Sequence, residues 1–175
     1  MKLFLVGVLV TLAVFFLGAY AFISLGCMPA NADGKPPAWE KWMARKSLHA
    51  AIQREAPQGP VPVTLTAGNL TAGLKLYTTN CAVCHGTSDG EASNIAKGLY
   101  QHAPQLAKHG VEDDPEGEIY WKVKHGIRLT GMPAFSGTLS EDQVWQITLF
   151  LKHMDSLPAP VEKAWKSLPS AKTQN

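Results

Sequence analysis

Hydrophobic positions change their pattern several times along this 175-residue chain. From Leu3 to Leu25 the run LFLVGVLVTLAVFFLGAYAFISL carries no charge, and as one helix it is long enough to cross a hydrocarbon layer of roughly 30 Å. After the turn-rich NADGKPP, the stretch AWEKWMARKSLHAAIQREA lacks proline and glycine, which predicts a helix from Ala38 to Glu55. Its faces are mixed: Leu48 and Ile52 lie one turn apart, whereas Trp39, Trp42 and Met43 cluster among Lys41, Arg45 and Lys46. That mixture suits either a membrane interface or packing on the following domain. APQGPVPV, from Ala56 to Val63, reads as an extended connector.

Beyond the connector, apolar residues recur at spacings of three and four. Leu70, Gly73, Leu74 and Tyr77 predict a helix from Asn69 to Asn80, with Asn69 as N-cap. A second helix starts with Asp114 as cap and Pro115 in its first turn, and stops at Gly126. A third opens on a capping box, Ser140 to Gln143, and carries Val144, Trp145, Ile147, Thr148 and Leu151 on one broad face. That face needs a partner, and the helix with Leu70, Gly73 and Tyr77 is the natural one. The expected organisation is an apolar anchor or uncleaved signal over 1–27, a helix and proline-rich linker over 28–63, a helical domain over 64–157 and a flexible tail over 158–175.

Charge narrows the function. Six basic and three acidic residues precede position 64, ten and eleven follow it, and the whole carries +2; neither part is a polyelectrolyte of the kind that binds nucleic acid. The apolar run exceeds the 7 to 15 or so residues of a cleaved signal core, which favours a retained anchor. Gly26-Cys27 resembles the end of a lipoprotein signal, so lipidation at Cys27 stays open.

The chemistry concentrates in Cys81-Ala82-Val83-Cys84-His85. Cys-x-x-Cys-His is the spacing at which a chain is joined to a c-type haem: Cys81 and Cys84 form thioethers from one helical turn, and His85 is placed under the iron. A thioredoxin-type pair needs a βαβ setting that the flanks lack, and a structural zinc site needs two more ligands. The polar segment GTSDGEASNIAKGL after the motif reads as a loop over one haem edge. In GIRLTGMPAF, Met132 offers a soft thioether whose backbone is restricted by Pro133, and it is the expected sixth ligand. Met154, in the last turn of the final helix, competes less well, and His102, His109, His125 and His153 read as solvated. Arg128 and Trp121 lie near enough to the methionine loop to be candidates for a propionate hydrogen bond.

NCAVCHG, HGIRLTGMPAF and VWQITLFLKHM together resemble a single-haem class I c-type cytochrome of the bacterial respiratory kind, over about residues 69 to 155. The resemblance implies an all-α fold of three to five helices around one covalently bound haem c, with His85 and Met132 as axial ligands. It implies a one-electron carrier rather than an enzyme, exchanging electrons with membrane-bound redox complexes. A fixed cytochrome subunit of a respiratory dehydrogenase or oxidase is the alternative, and a small haem peroxidase with a labile methionine a third. Lys2 on one side of the apolar run against Lys35, Lys41, Arg45 and Lys46 on the other opposes an outward-facing domain by the positive-inside rule. The resemblance implies haem attachment outside the bacterial cytoplasmic membrane, and so a periplasmic haem domain on a single-pass anchor.

Overall fold

The computed structural model describes residues 1–173, and every regular element among them is helical, in keeping with the all-α expectation. The chain divides into Met1–Ala32 and a second unit from Asp33 onward. The first unit is one helix, α1 (Lys2–Ser24), with no buried residue, long and apolar enough to cross a membrane.

The second unit contains α2 (Ala38–Glu55), α3 (Ala67–Asn80), α4 (Ala82–His85), α5 (Asn94–Lys97), α6 (Glu116–His125), α7 (Glu141–Lys152) and α8 (Ala159–Lys166), and ends in a 3-10 turn, Ala171–Thr173. Its centre is the crossing of α3 and α7. A methyl group on Gly73 would run into the Gln146 carbonyl and sit 2.8 Å from the Phe150 Cβ, so only glycine lets these helices approach so closely. Asn69 serves this crossing instead of capping α3: its side-chain oxygen accepts from Gln146 Nε2 at 3.0 Å, while Thr66 Oγ1 caps the helix by accepting the Asn69 amide at 3.1 Å.

α6 packs on α7 through Tyr120 and Trp145, whose rings stack with centroids 4.1 Å apart. The expected Asp114 cap is not made. Pro115 is the N-cap of α6, and the Asp114 carboxylate is drawn away into a 2.6 Å ion pair with Lys122. Gly126, at φ 64°, ends α6, and α7 opens on the capping box of Ser140 and Gln143. α2 lies against α6, where Ile52 and Ala56 cover Trp121 and Gln53 Nε2 donates to Glu118 at 3.2 Å.

Two expectations are corrected. The connector after α2 is not a separate spacer, because Val61 and Val63 pack against the main core. Nor is the C-terminal segment a flexible tail as far as residue 173. α8 buries Val161 and Trp165, and the Trp165 ring lies edge-on to Tyr77 and Phe150 at 5.6 and 5.5 Å. Pro160 does not prevent this helix, since the first-turn amides have no intrahelical partner to lose. Gln174 and Asn175, the end of the expected tail, lie outside the described residues.

Removing this aromatic contact tests the packing. Trp165→Ala is expected to cost about 3 to 5 kcal/mol of unfolding free energy, read from guanidinium titration of the haem-loaded protein. A variant as stable as the parent would show that α8 is not part of the core.

Candidate functional site

α3 leads directly into the Cys-x-x-Cys-His turn. Cys81 closes α3 and caps α4, and its carbonyl accepts the amides of Cys84 and His85 at 3.0 and 2.9 Å. Tyr77, one turn earlier and fully buried, donates its hydroxyl proton to the Gly86 carbonyl at 2.8 Å. Burial pushes the Tyr77 phenol far above its usual range, so it remains a donor at every physiological pH. Gly86 itself has φ 78° and ψ 178°, a conformation essentially restricted to glycine.

His85 Nδ1 lies 2.9 Å from the Pro104 carbonyl. A carbonyl only accepts, so Nδ1 carries the proton and Nε2 keeps its lone pair. Burial lowers the His85 pKa, and the bond to Pro104 opposes that shift more weakly. The ring is therefore neutral at pH 7, the form that binds a metal. Beside it, Gln105 Nε2 donates to the Cys84 carbonyl at 3.0 Å.

The two thiols are unsuited to disulfide exchange. Burial, with a smaller contribution from Cys84, pushes Cys81 up to about 12, and burial also raises Cys84; neither is a thiolate at neutral pH, as a redox pair requires. Among the described residues no group of three or more His, Cys, Asp and Glu side chains converges to hold an ion.

Cys81, Cys84, His85 and Met132 all line one cavity of about 310 Å³. Leu106, Val111, Ile119, Val123, Ile127 and Leu151 supply much of its apolar wall. Met132 comes from the loop between α6 and α7, which is pinned from within. The Met132 amide donates to Thr130 Oγ1 at 3.1 Å, Thr130 Oγ1 donates to the Ile127 carbonyl at 2.6 Å, and the Met132 carbonyl accepts from Ile127 at 3.2 Å. Gly126, at ψ −171°, starts the loop in a second glycine-only conformation. A neutral imidazole, a soft thioether and two adjacent thiols around an apolar cavity form a donor set that fits an iron porphyrin attached through thioethers.

The other sequence candidates fall elsewhere. Met154 is buried in the core and, with His109, His125 and His153, does not line the cavity; His102, although exposed, does line it. Arg128 is exposed, and neither it nor Trp121 reaches the cavity wall. Trp121 instead packs on α2, beside Ile52 and Ala56. Sequence reasoning missed Tyr77 as a donor, the Pro104 carbonyl, Gln105 and Thr130. Only Thr130, a hydroxyl two residues before Met132, left a readable local signal.

Comparison with known proteins places this site in context. The family model described as cytochrome c oxidase, cbb3-type, subunit III matches residues 68–151. Cytochrome c6 of Leptolyngbya boryana is 36% identical over 94 residues, covering 54% of this chain and 95% of the relative. Cytochrome c6 of Thermosynechococcus vestitus is 32% identical over 85 residues, 49% of this chain and 70% of the relative. That of Diacronema lutheri is 26% identical over 84 residues, 48% and 94% respectively. No solved structure matches the chain significantly.

The turn after His85 offers a direct test. A methyl group at position 86 would meet Gln105 Oε1 and come within 3.2 Å of the Glu91 carbonyl, in a backbone conformation that side chains avoid. Gly86→Ala is expected to lose about 1 to 3 kcal/mol of stability in denaturant unfolding of the haem-loaded protein. A change within about 0.5 kcal/mol would mean that the turn is not so constrained.

Proposed function

Since the chain belongs to the single-haem class I c-type cytochromes, with a covalently bound haem c, we propose that it is a membrane-anchored one-electron carrier ligated by His85 and Met132. The observation that carries this reading is that both side chains line one apolar cavity with Cys81 and Cys84. When bound, the haem supplies a reversible one-electron ferric/ferrous couple.

The chain's own groups set the conditions for that couple. Pro104 holds the His85 ring in the tautomer that presents Nε2. Thr130 holds the backbone of Met132, so the thioether is presented from a loop already set. Cys81 and Cys84 are the thioether positions. His85 and Met132 would together hold the iron, which would leave it no open site for dioxygen or peroxide, and this favours the carrier reading over the peroxidase one. Methionine in place of a second imidazole favours the reduced state and raises the potential. The apolar walls of the cavity would keep water from the group they hold, and so limit reorganisation on electron transfer.

α1 is the anchor in this reading, in the bacterial cytoplasmic membrane, with the haem domain in the periplasm and membrane-bound complexes as donor and acceptor. The matched oxidase-subunit family model supports a second reading, a fixed subunit of such a complex. Purification in mild detergent separates the two: a carrier comes away alone, whereas a subunit travels in constant ratio with a catalytic chain.

Met132→Ala tests the ligand assignment. The variant should lose the methionine-to-iron charge-transfer band of the oxidised protein, bind carbon monoxide when reduced, and show a lower reduction potential. Survival of that band in Met132→Ala would sink the assignment.

A further inference from the structure

α2 has two opposed faces, and neither lines the haem cavity. One is docked. Ile52 and Ala56 cover Trp121 of α6, and the Glu40 carboxylate accepts the Tyr100 hydroxyl at 3.1 Å. Tyr100 precedes the stretch Gln101 to Pro104 that lines the cavity and orients His85. The other face is bare: Trp39 and Trp42 are 64% and 67% exposed and Met43 is 52% exposed. With Lys46 these residues follow the i, i+3, i+4, i+7 spacing of a single helix face.

We propose that this outer face of α2 is a docking surface for an anionic lipid bilayer, seated at the headgroup level. The inference rests on the membrane-anchored reading above and adds an orientation to it. Three observations favour a bilayer over a protein partner. Exposed tryptophans flanked by Lys41, Arg45 and Lys46, all exposed, pair an amphipathic aromatic surface with positive charge, the combination that headgroups of anionic lipid take up. Only residues 25–37 separate α1 from α2, a stretch whose full extension is at most about 45 Å. No carboxylate lies on the exposed stripe; Glu40, the one acidic residue near it, is turned to Tyr100 and Gln101. Because the opposite face is packed on the haem domain, seating α2 would hold that domain in one orientation at the membrane surface.

The tryptophans make a selective probe. α1 contains none, and Trp121, Trp145 and Trp165 are buried, so quenchers in the acyl chains reach only Trp39 and Trp42. The full-length, haem-loaded chain is reconstituted in phosphatidylcholine vesicles with and without phosphatidylglycerol, each with ordinary or brominated acyl chains. Tryptophan emission should be quenched by brominated lipid, and more so with phosphatidylglycerol present. Trp39→Phe/Trp42→Phe should lose that quenching, and Lys41→Gln/Arg45→Gln/Lys46→Gln should lose the dependence on phosphatidylglycerol, with haem spectrum and unfolding midpoint unchanged. Emission insensitive to brominated lipid overturns the proposal, and so does equal quenching in the two lipid compositions. Protection of Trp39 and Trp42 only in a copurified complex assigns the face to a protein and also overturns it. Flotation of the chain with the vesicles reports on the anchor separately, so failure of the docking face and failure of the anchor are told apart.

Discussion

The approach of α3 to α7 at Gly73 is the constraint on which the haem domain depends. It sets the direction in which the last turn of α3 delivers Cys81, and through α4 the positions of Cys84 and His85. α7 in turn carries α6 through the Tyr120 and Trp145 stack. α6 holds both ends of the Met132 loop, because Gly126 leaves its last turn and the amides of Phe135 and Ser136 return to the carbonyls of Val123 and Lys124. The two walls that present His85 and Met132 are thus referenced to one helix contact. A side chain at position 73 would push the α7 backbone away, and overpacking of that kind displaces whatever the helices carry.

Packing supplies the energy at this centre, and hydrogen bonds supply the aim. Tyr77, Phe150 and Trp165 meet as three buried rings, each worth roughly 3 to 5 kcal/mol against truncation. A neutral hydrogen bond nets only about 1 kcal/mol. The bonds from Tyr77 to Gly86, from His85 to Pro104 and from Met132 to Thr130 therefore matter less for stability than for direction. They also occupy nearby backbone and hydroxyl groups, which leaves an apolar cavity between two soft or neutral nitrogen and sulfur donors. Gly86 and Gly126 complete the arrangement, for each lets the backbone turn sharply next to a donor-bearing segment.

What the sequence disclosed was mainly what is local. The Cys81 to His85 spacing, the Ser140 to Gln143 box and the Gly126 stop are each determined within a few residues, and each reads without knowledge of the fold. Residues whose role depends on a distant partner did not read correctly. Asp114 has the chemistry of a cap but is claimed by Lys122; Asn69 is claimed by Gln146. The Pro104 carbonyl is backbone and leaves no trace in side-chain pattern. α8 shows the opposite failure: Val161, Trp165 and Leu168 do stand at helical spacing within the segment expected as a flexible tail, and Pro158 and Pro160 sit at the cap and first turn, where a helix tolerates them.

The corrected connector changes how a tether would act. If Ala56 to Val63 were a free spacer, α2 would move independently of the haem, and anything α2 touched would have no bearing on where the cavity faces. Ala56 is buried, Val61 and Val63 lie on the core, and the Pro57 carbonyl closes on Gly117 so tightly that a side chain there would collide with it. α2 and the haem domain therefore belong to one packed unit, and the stretch between α1 and α2 is residues 25–37. Of the basic residues that count against an outward-facing domain by charge bias, Lys41, Arg45 and Lys46 lie on α2, beside exposed aromatics, and Lys35 just before it. Their cost to insertion would then be set against the proposed lipid contact, and α2 would orient the cavity through Glu40, which accepts from Gln101 on the cavity wall.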